Sequence, residues 1–326
     1  MRILIIGGAG YIGSHAVRLF QARGHDVWAY DNLSKGHRKA VPPDILIEGD
    51  LRDPQLDQVL IQHRIEAVVH FAAFSLVGES VKHPALYYQN NLAATLHLME
   101  QMRKCGVDRF IFSSTCATYG LPEIVPITEK ESQKPINPYG ATKLAIEHAL
   151  ADYAQAYNWG YAALRYFNAA GASPSGDIGE DHDPESHLIP LAIQAAQKLR
   201  DPLVIFGTHY PPPDGTYIRD YIHVDDLAEA HLLALERLEP CEGLCLNLGT
   251  GKGHSVREVI QTVDEVTGLK VPHSDGARLE GDPPELVACA DKAREVLGWT
   301  PYYSDLRPTI ETAWNWHQRH PKGYAS

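Results

Sequence analysis

Two side chains four residues apart, Tyr139 and Lys143, form the pair in this sequence best suited to proton transfer. Asn137 and Pro138 precede them, which is typical of a helix start, and residues four apart on a helix share a face. The Lys143 ammonium is therefore expected beside the Tyr139 phenol. A nearby cation lowers the pKa of a tyrosine, about 10 when free, towards the range of a useful base. Because this spacing is common by chance, its interpretation depends on a glycine-rich segment far upstream and on the serine-rich strand before it.

Three glycines, Gly7, Gly10 and Gly13, follow the first predicted strand and open the first predicted helix. In that context the missing side chains allow backbone N–H groups to approach a pyrophosphate. The second strand ends at Asp31, about twenty residues on, where a carboxylate can accept from ribose hydroxyls and repel a 2′-phosphate. The pattern predicts NAD rather than NADP. Asp50, after the third strand, is placed either to meet the adenine amino group or to cap the next helix.

Short apolar strands alternate with longer helical segments, which predicts a parallel sheet covered by helices. The predicted strands span residues 2–7, 26–30, 45–49, 67–72, 109–114 and 161–167. The predicted helices between them span residues 11–23, 54–64, 84–104 and 138–158. Several of these helices open with proline, as a first-turn residue should. The sequence therefore predicts an α/β fold with a doubly wound, parallel-sheet Rossmann domain.

A change of composition after Asn168 predicts a domain boundary, because residues 169–177 are rich in Gly, Ala, Ser and Pro. Later segments predict a helix over residues 188–199, a strand over 217–224, and helices over 226–236 and 256–267. We expect a nucleotide-binding domain over residues 1–168, with return segments around residues 217–250. A smaller α/β substrate domain is expected mainly over residues 169–326.

The composition of the 326-residue chain excludes several functions. A formal net charge of −12 argues against binding to nucleic acid or an anionic membrane, and no apolar run approaches the length of a membrane span. Five scattered cysteines and no leader ahead of the first strand predict a reduced, cytoplasmic setting. The seventeen histidines lack a spacing such as H-E-x-x-H, and Cys241 and Cys245 lack a second ligand pair, so no metal site is predicted.

These and further motifs resemble the extended short-chain dehydrogenases/reductases and, among them, the UDP-glucose 4-epimerases. The matching segments are residues 7–13, 31–34, 70–73, 77–80, 87–91, 113–115, 139–143, 165–168, 174–176, 179–181, 219–224, 247–249, 280–282 and 316–321. The resemblance covers nearly the whole chain. It implies NAD-dependent 4-epimerisation of a UDP-sugar, UDP-glucose or UDP-galactose, through a transient 4-keto intermediate, as in galactose metabolism. It also implies a homodimer, paired through helices over residues 84–104 and 141–158.

The residues after Thr115 separate this chain from its relatives. Sugar-nucleotide dehydratases place an Asp-Glu pair after the catalytic Thr and decarboxylating relatives place a Glu there, whereas this chain has Cys116 and Ala117. With no acid or base beyond Thr115 and Tyr139, the site is equipped to oxidise a carbinol and reduce it again.

The resemblance implies a role for each residue of the site. Tyr139 is the base, Lys143 stabilises its phenolate, and Thr115 hydrogen-bonds the same substrate oxygen. The implied cofactor-binding residues are Gly7, Gly10, Tyr11, Ile12, Gly13, Asp31, Asn32, Ser34, Asp50, Leu51, Phe71, Ala72, Ala73, Asn90 and Phe167. The implied substrate-binding residues are Thr115, Asn168, His187, Leu188, Phe206, Arg219, Tyr221, Asp282 and Leu286. The alternatives are a strand-end cap for Asn168 and an ion pair between domains for Arg219.

Several positions depart from the family pattern. Ser75 replaces a lysine that contacts the cofactor in many epimerases, and His187 stands where many relatives have Asn. Leu279 replaces an arginine that reaches the diphosphate, so either Arg278 or Arg219 must do so.

The sugar itself stays open, because Leu286 is intermediate in size at the position that governs room for an N-acetyl group. One alternative is a 4-epimerase of UDP-arabinose/UDP-xylose or of UDP-N-acetylhexosamine. Others are a nucleotide-sugar oxidoreductase that releases NADH, and a catalytically silent NAD-binding regulator.

Overall fold

A computed structural model describes residues 1–211, 214–278 and 283–325 of the chain. Its strands are β1 (Arg2–Ile6), β2 (Asp26–Asp31), β3 (Leu46–Glu48), β4 (Ala67–His70), β5 (Arg109–Thr115), β6 (Gly160–Tyr166), β7 (Asn168–Ala170), β8 (Leu203–Phe206), β9 (Ile218–His223), β10 (Gly243–Leu248), β11 (Gly253–Ser255), β12 (His273–Gly276) and β13 (Glu285–Leu286). Its α-helices are α1 (Tyr11–Ala22), α2 (Leu56–Gln62), α3 (Val77–Lys82), α4 (Pro84–Tyr87), α5 (Ala94–Cys105), α6 (Pro138–Tyr157), α7 (Leu188–Ala196), α8 (Val224–Arg237), α9 (Val256–Thr267), α10 (Asp291–Leu297) and α11 (Leu306–Arg319).

The largest sheet has seven parallel strands in the order β3-β2-β1-β4-β5-β6-β10. In β1, Ile3 and Ile5 pack on one face, against α1, α8 and α10, while Leu4 and Ile6 pack on the other, against α2, α5 and α6. Successive side chains of a strand point to opposite faces, so a strand covered on both sides is apolar throughout. The predicted doubly wound α/β fold is confirmed.

The predicted elements of this sheet are all present, with ends that differ by one or two residues. The helix predicted over residues 84–104 is present as one continuous helical segment, within which a π-helical turn (Tyr88–Ala93) separates α4 from α5. Within this turn the buried Asn91 side chain accepts from the Phe74 N–H at 2.9 Å and donates to the Phe74 carbonyl at 2.9 Å. These bonds tie the turn to the loop after β4. Such π-turns interrupt α-helices frequently at functional sites.

A second group of elements covers the carboxyl ends of the large sheet's strands. A four-stranded sheet (β7, β9, β11, β13) and a two-stranded pair (β8, β12) lie with α7, α9 and α11. In the segment around residues 217–250, β10 completes the large sheet and α8 packs on α1, while β9 belongs to the smaller sheet. The predicted domain limits stay a prediction. Within the described parts of the chain, no helix combines the length and apolarity that crossing a membrane requires.

Candidate active site

A cavity of about 1030 Å³ opens at the carboxyl ends of β1, β2, β4, β5 and β6 and extends under the smaller sheet. This edge is where open parallel sheets bind their ligands. The cavity is lined by every predicted cofactor-binding residue, by the three predicted catalytic residues Thr115, Tyr139 and Lys143, and by every predicted substrate-binding residue that the structure describes. Asp282, a predicted substrate-binding residue, and Leu279, which replaces the family's arginine, lie outside the described residues.

The glycine-rich turn between β1 and α1 forms the floor of this cavity. Gly7 has a φ of +74°, and a Cβ on Gly13 would lie 2.0 Å from the Gly7 carbonyl oxygen, so larger residues do not fit there. The helix α1 begins at Tyr11, with Gly10 as its N-cap. The first N–H groups of a helix have no partners within the helix and form its positive end. The geometry of this turn therefore leaves room and N–H groups for a diphosphate.

Asp31, at the end of β2, is fixed to the same turn. Its Oδ2 accepts from the Ala9 N–H at 3.0 Å, and its Oδ1 accepts from the Leu33 N–H at 2.8 Å. Burial raises the pKa of this carboxyl, and the two backbone N–H groups oppose the rise. The carboxylate lines the cavity, where ribose hydroxyls can donate to it.

Asp50 does not cap the helix after it, because α2 begins at Leu56 with Gln55 as its N-cap. The carboxylate instead lies 2.6 Å from Arg52 Nε and accepts from Asn32 Nδ2 at 2.9 Å. The Arg52 guanidinium holds the pKa of Asp50 well below its usual range. Asp50 is thus an ionised acceptor at the wall of the cavity.

The proposed base is placed by the start of α6. Pro138 occupies the first turn, and the Asn137 side chain accepts from the Gly140 N–H at 2.9 Å. A Cβ on Gly140 would lie 2.4 Å from the Ala117 carbonyl oxygen, so glycine lets α6 approach the chain that follows β5. This approach brings the buried Tyr139 within hydrogen-bonding reach of Thr115.

Lys143 lies one turn further along α6 and is buried. Its Nζ donates to the Ser113 carbonyl at 2.7 Å and lies 4.7 Å from the centroid of the Phe112 ring. Burial lowers the pKa of Lys143 to about 7, while the nearby Glu147 carboxylate opposes that shift. The ammonium is thus held firmly beside the end of β5.

The expected lowering of the Tyr139 pKa is wrong for the protein alone. Burial raises the pKa of Tyr139, Tyr166 adds to the rise, and the Thr115 hydroxyl opposes it. The physical reason is that a buried phenolate loses its hydration, a cost that the sequence spacing of Tyr139 and Lys143 does not report.

The two arginines proposed for the diphosphate lie in different places. The buried Arg219 of β9 lines the cavity, with its guanidinium carbon 4.4 Å from the centroid of the Tyr217 ring. Arg278 stacks on Tyr210 instead, at 4.2 Å from that ring's centroid. Among the described residues that line the cavity, Arg219 is present and Arg278 is not. This placement favours Arg219 of the two.

The model of the NAD dependent epimerase/dehydratase family matches residues 3–249. This chain belongs to that family. A UDP-glucose 4-epimerase of Halalkalibacterium halodurans is 51% identical, over 100% of this chain and 98% of the relative. A crystal structure of a UDP-glucose 4-epimerase is 50% identical, with a TM-score of 0.96 and 99% of each chain covered. That of the Brucella ovis enzyme in complex with NAD is 50% identical, with a TM-score of 0.93, covering 96% of this chain and 97% of that one. The predicted family and NAD dependence are confirmed.

This epimerase-family chain also has basic residues at the cavity that sequence reasoning missed. Lys35, Lys82 and His182 line it. Lys35 donates to the Asp183 carbonyl, which ties the turn after β2 to the loop before α7. The sequence gives little indication that these residues line a cavity, because isolated basic residues are common on any protein surface. In a chain of net charge −12, they supply local positive charge for an anionic ligand.

Proposed function

We propose that this chain is an NAD-dependent UDP-sugar 4-epimerase that interconverts UDP-glucose and UDP-galactose. The observation that carries the proposal is the placement of Thr115, Tyr139 and Lys143 at one cavity with the glycine turn and Asp31. The residues that follow Thr115, Cys116 and Ala117, provide no carboxylate for elimination or decarboxylation. The site is thus suited to moving a hydride off a carbinol and back.

The described residues fit NAD, because the glycine turn leaves room and N–H groups for a diphosphate and Asp31 is an acceptor for ribose hydroxyls. When bound, NAD supplies the hydride acceptor and the positive charge of its nicotinamide ring. That charge and the Lys143 ammonium both favour the phenolate form of Tyr139.

The proton transfer falls to this chain's own residues. Tyr139 removes the proton of the sugar's 4-hydroxyl, and the Thr115 hydroxyl hydrogen-bonds the same oxygen. Lys143, fixed by the Ser113 carbonyl, keeps the phenolate stable through the step. After the 4-keto sugar turns over within the cavity, Tyr139 returns the proton to the 4-oxygen and the opposite configuration at C4 results.

Turnover of the sugar requires that the nucleotide is held while the sugar is free to move. Arg219 is a guanidinium at the substrate side of the cavity and can bind a diphosphate through two parallel hydrogen bonds. We assign nucleotide binding also to Asn168, Leu188, Phe206 and Tyr221, which line the same side. Leu286 lies there too, so activity on pentose and N-acetylhexosamine nucleotides is the second candidate function.

We further propose a cytoplasmic homodimer. Apolar side chains on the segment predicted to pair are exposed, among them Leu86 at 43%, Tyr88 at 44% and Leu96 at 37%. Exposed apolar residues gathered on one segment are typical of a protein contact. Light scattering at micromolar concentration is expected to give twice the mass of one chain, and a monomeric mass would refute the dimer.

The test of the activity uses purified protein and UDP-galactose without added NAD. We expect UDP-glucose to form with no net NADH absorbance, because the cofactor is regenerated in each cycle. Tyr139→Phe is expected to lose activity by about 10²- to 10⁴-fold, whereas Tyr302→Phe, at a side chain 84% exposed, keeps it. Stoichiometric NADH formation would instead identify an oxidoreductase. If UDP-galactose is not converted even with added NAD, pentose and N-acetylhexosamine nucleotides become the substrates to test.

A further inference from the structure

The loop that leads into α7 gathers four potential metal ligands. Glu180, His182, Glu185 and His187 each offer one donor atom, and these atoms lie within 4.8 Å of one another. The Glu180 carboxylate is the centre of the group: its Oε1 lies 3.1 Å from His182 Nδ1 and also contacts His187 Nδ1. Glu185 Oε1 lies 3.9 Å from His182 Nδ1. Two imidazoles and two carboxylates therefore converge on one point.

From this convergence we propose that the four residues form a zinc site. Two neutral imidazoles and two carboxylates provide two nitrogen and two oxygen donors with a total charge of −2, which a divalent cation neutralises. Zinc accepts such mixed donors in a tetrahedron, and imidazole nitrogens disfavour magnesium and calcium. Bonds of about 2.1 Å place tetrahedral donor atoms about 3.4 Å apart. Side-chain shifts of about 1 Å bring the donor atoms to that spacing, because the contacts of Glu180 with the two histidines must lengthen and the more distant pairs, all within 4.8 Å, must shorten.

Burial distinguishes this group from a solvated acidic patch. The side chain of Glu180 is 4% exposed and that of Glu185 is 7% exposed, whereas those of His182 and His187 are 29% and 39% exposed. A buried carboxylate is costly unless a cation or several donors compensate it. Glu185 Oε1 accepts from the Ser186 and His187 N–H groups at 2.7 and 2.9 Å, so the buried charge that calls for a cation is that of Glu180, which faces the two imidazoles. The two histidines line the cavity, so they also provide the path by which an ion enters.

The position of the loop indicates a structural role for the ion, between the two sides of the cavity. His182 packs edge-on against Tyr11, the first residue of α1, with ring centroids 6.0 Å apart. At its other end the loop reaches His187, which directly precedes α7. An ion bound by both histidines would connect α1, on the cofactor side of the cavity, to the start of α7, on the substrate side. The site supports the fold of this loop and takes no part in the hydride chemistry.

A zinc site in this loop departs from the sequence-based expectation of no metal site. That expectation rested on spacings such as H-E-x-x-H, which suit ligands on a helix. Here the spacing is E-x-H-x-x-E-x-H in a loop, where the chain can turn each ligand inward independently of a helical period.

The test is metal binding by the whole protein, independent of activity. Protein treated with EDTA and desalted is titrated with Zn²⁺ by calorimetry, and its metal content is measured by mass spectrometry. We expect about one zinc per chain and a melting temperature that rises with Zn²⁺, since an ion that binds the folded state stabilises it. Cobalt in place of zinc is expected to give the strong visible absorption of a tetrahedral site.

Variants locate the ion. His182→Ala is expected to bind Zn²⁺ at least about tenfold more weakly and to lose the cobalt spectrum, because one of four ligands is gone. The control His273→Ala, at an exposed histidine in β12, is expected to match the wild type. Circular dichroism identifies variants that fail to fold. The zinc titration of the wild-type protein tests the proposal without any variant. Less than half an equivalent of zinc in the wild type, or undiminished binding in folded His182→Ala, would overturn the proposal.

Discussion

The carboxylate of Glu147 binds the guanidinium of Arg165 in the interior, with 2.6 Å between Glu147 Oε2 and Arg165 Nη2. Both side chains are about 5% exposed or less. The Ser114 hydroxyl donates to the same carboxylate at 2.5 Å. Glu147 also lies one turn beyond Lys143 on α6, so this buried pair joins α6 to β5 and β6 immediately behind the proposed catalytic residues.

Replacing Glu147 by Gln is expected to change both stability and the pH dependence of catalysis. Breaking this buried ion pair leaves the charge of Arg165 uncompensated, and the free energy of unfolding is expected to fall by about 3–5 kcal/mol. Burial lowers the Lys143 pKa to about 7 and Glu147 opposes that shift, so without Glu147 this pKa falls further. Activity that needs the ammonium is lost as pH rises through that pKa. The alkaline limb of the kcat profile is therefore expected to move to lower pH in Glu147→Gln.

The pH profile of kcat distinguishes an influence of Glu147 on the Lys143 pKa from a purely structural role of Glu147. A variant that is only less stable keeps the wild-type limb with a smaller amplitude. Glu311→Gln, at an exposed position of α11, serves as the control and is expected to keep both the profile and the stability. An unshifted limb in folded Glu147→Gln contradicts the proposed influence on Lys143.

Asp31→Asn is expected to weaken the preference for NAD over NADP. The substitution keeps one oxygen acceptor for the Ala9 or Leu33 N–H and removes the charge that repels a 2′-phosphate. We expect NAD to bind less tightly and NADP to bind better, so that the ratio of the two dissociation constants changes by about tenfold or more, equivalent to about 1.4 kcal/mol. Cofactor titrations of the cofactor-free protein measure this ratio. Asp44→Asn, at an exposed aspartate, provides the control, and equal ratios in both variants would remove Asp31 from the specificity site.

His231 is expected to make the fold sensitive to mild acid. It lies under the cavity, 4.6 Å from Phe71 between ring centroids, and burial lowers its pKa to about 4. The folded state thus binds its proton less readily than the unfolded state, whose histidine has a pKa of about 6.5. Above pH 6.5 this histidine does not reduce the free energy of unfolding. As pH falls from 6.5 towards 4, the free energy of unfolding decreases by up to about 1.4 kcal/mol per pH unit.

Denaturant unfolding between pH 4 and 7.5 tests this sign. His231→Phe removes the titrating group and is expected to flatten the dependence of the free energy of unfolding on pH. The exposed-site variant His273→Phe is expected to keep the wild-type slope. A His231→Phe slope equal to that of the wild type would show that this histidine does not titrate on unfolding.

The sequence predicted what depends on periodicity and on backbone geometry. The strands of the large sheet are buried as predicted, and the helix over residues 256–267 begins at the predicted residue, where Ser255 and Glu258 form a capping box. The π-turn at residues 88–93 was missed because it depends on Asn91 reaching the Phe74 backbone, a tertiary contact. The net pKa of Tyr139 depends on burial, which only packing decides. The cluster around Glu180 was not predicted, because ligands in a loop have no fixed spacing.

Gly13→Ala is expected to weaken cofactor retention by about tenfold or more. The added Cβ would lie 2.0 Å from the Gly7 carbonyl oxygen, so the turn must move, and with it the N–H groups that face the diphosphate. Purified wild-type protein is expected to carry NAD that acid precipitation releases, and the variant to carry less than a tenth as much, about a tenfold loss worth 1.4 kcal/mol or more.

A glycine at the opposite edge of the sheet separates this effect from general destabilisation. Gly106 ends α5 with a φ of +72°, and it precedes β5, so it lies away from the carboxyl ends where the cavity opens. Gly106→Ala strains the backbone and lowers the melting temperature, yet it leaves the glycine turn intact. We therefore expect NAD content to fall in Gly13→Ala and to persist in Gly106→Ala at a similar loss of stability. Equal NAD content in the two variants would mean that the turn at Gly13 does not bind the diphosphate.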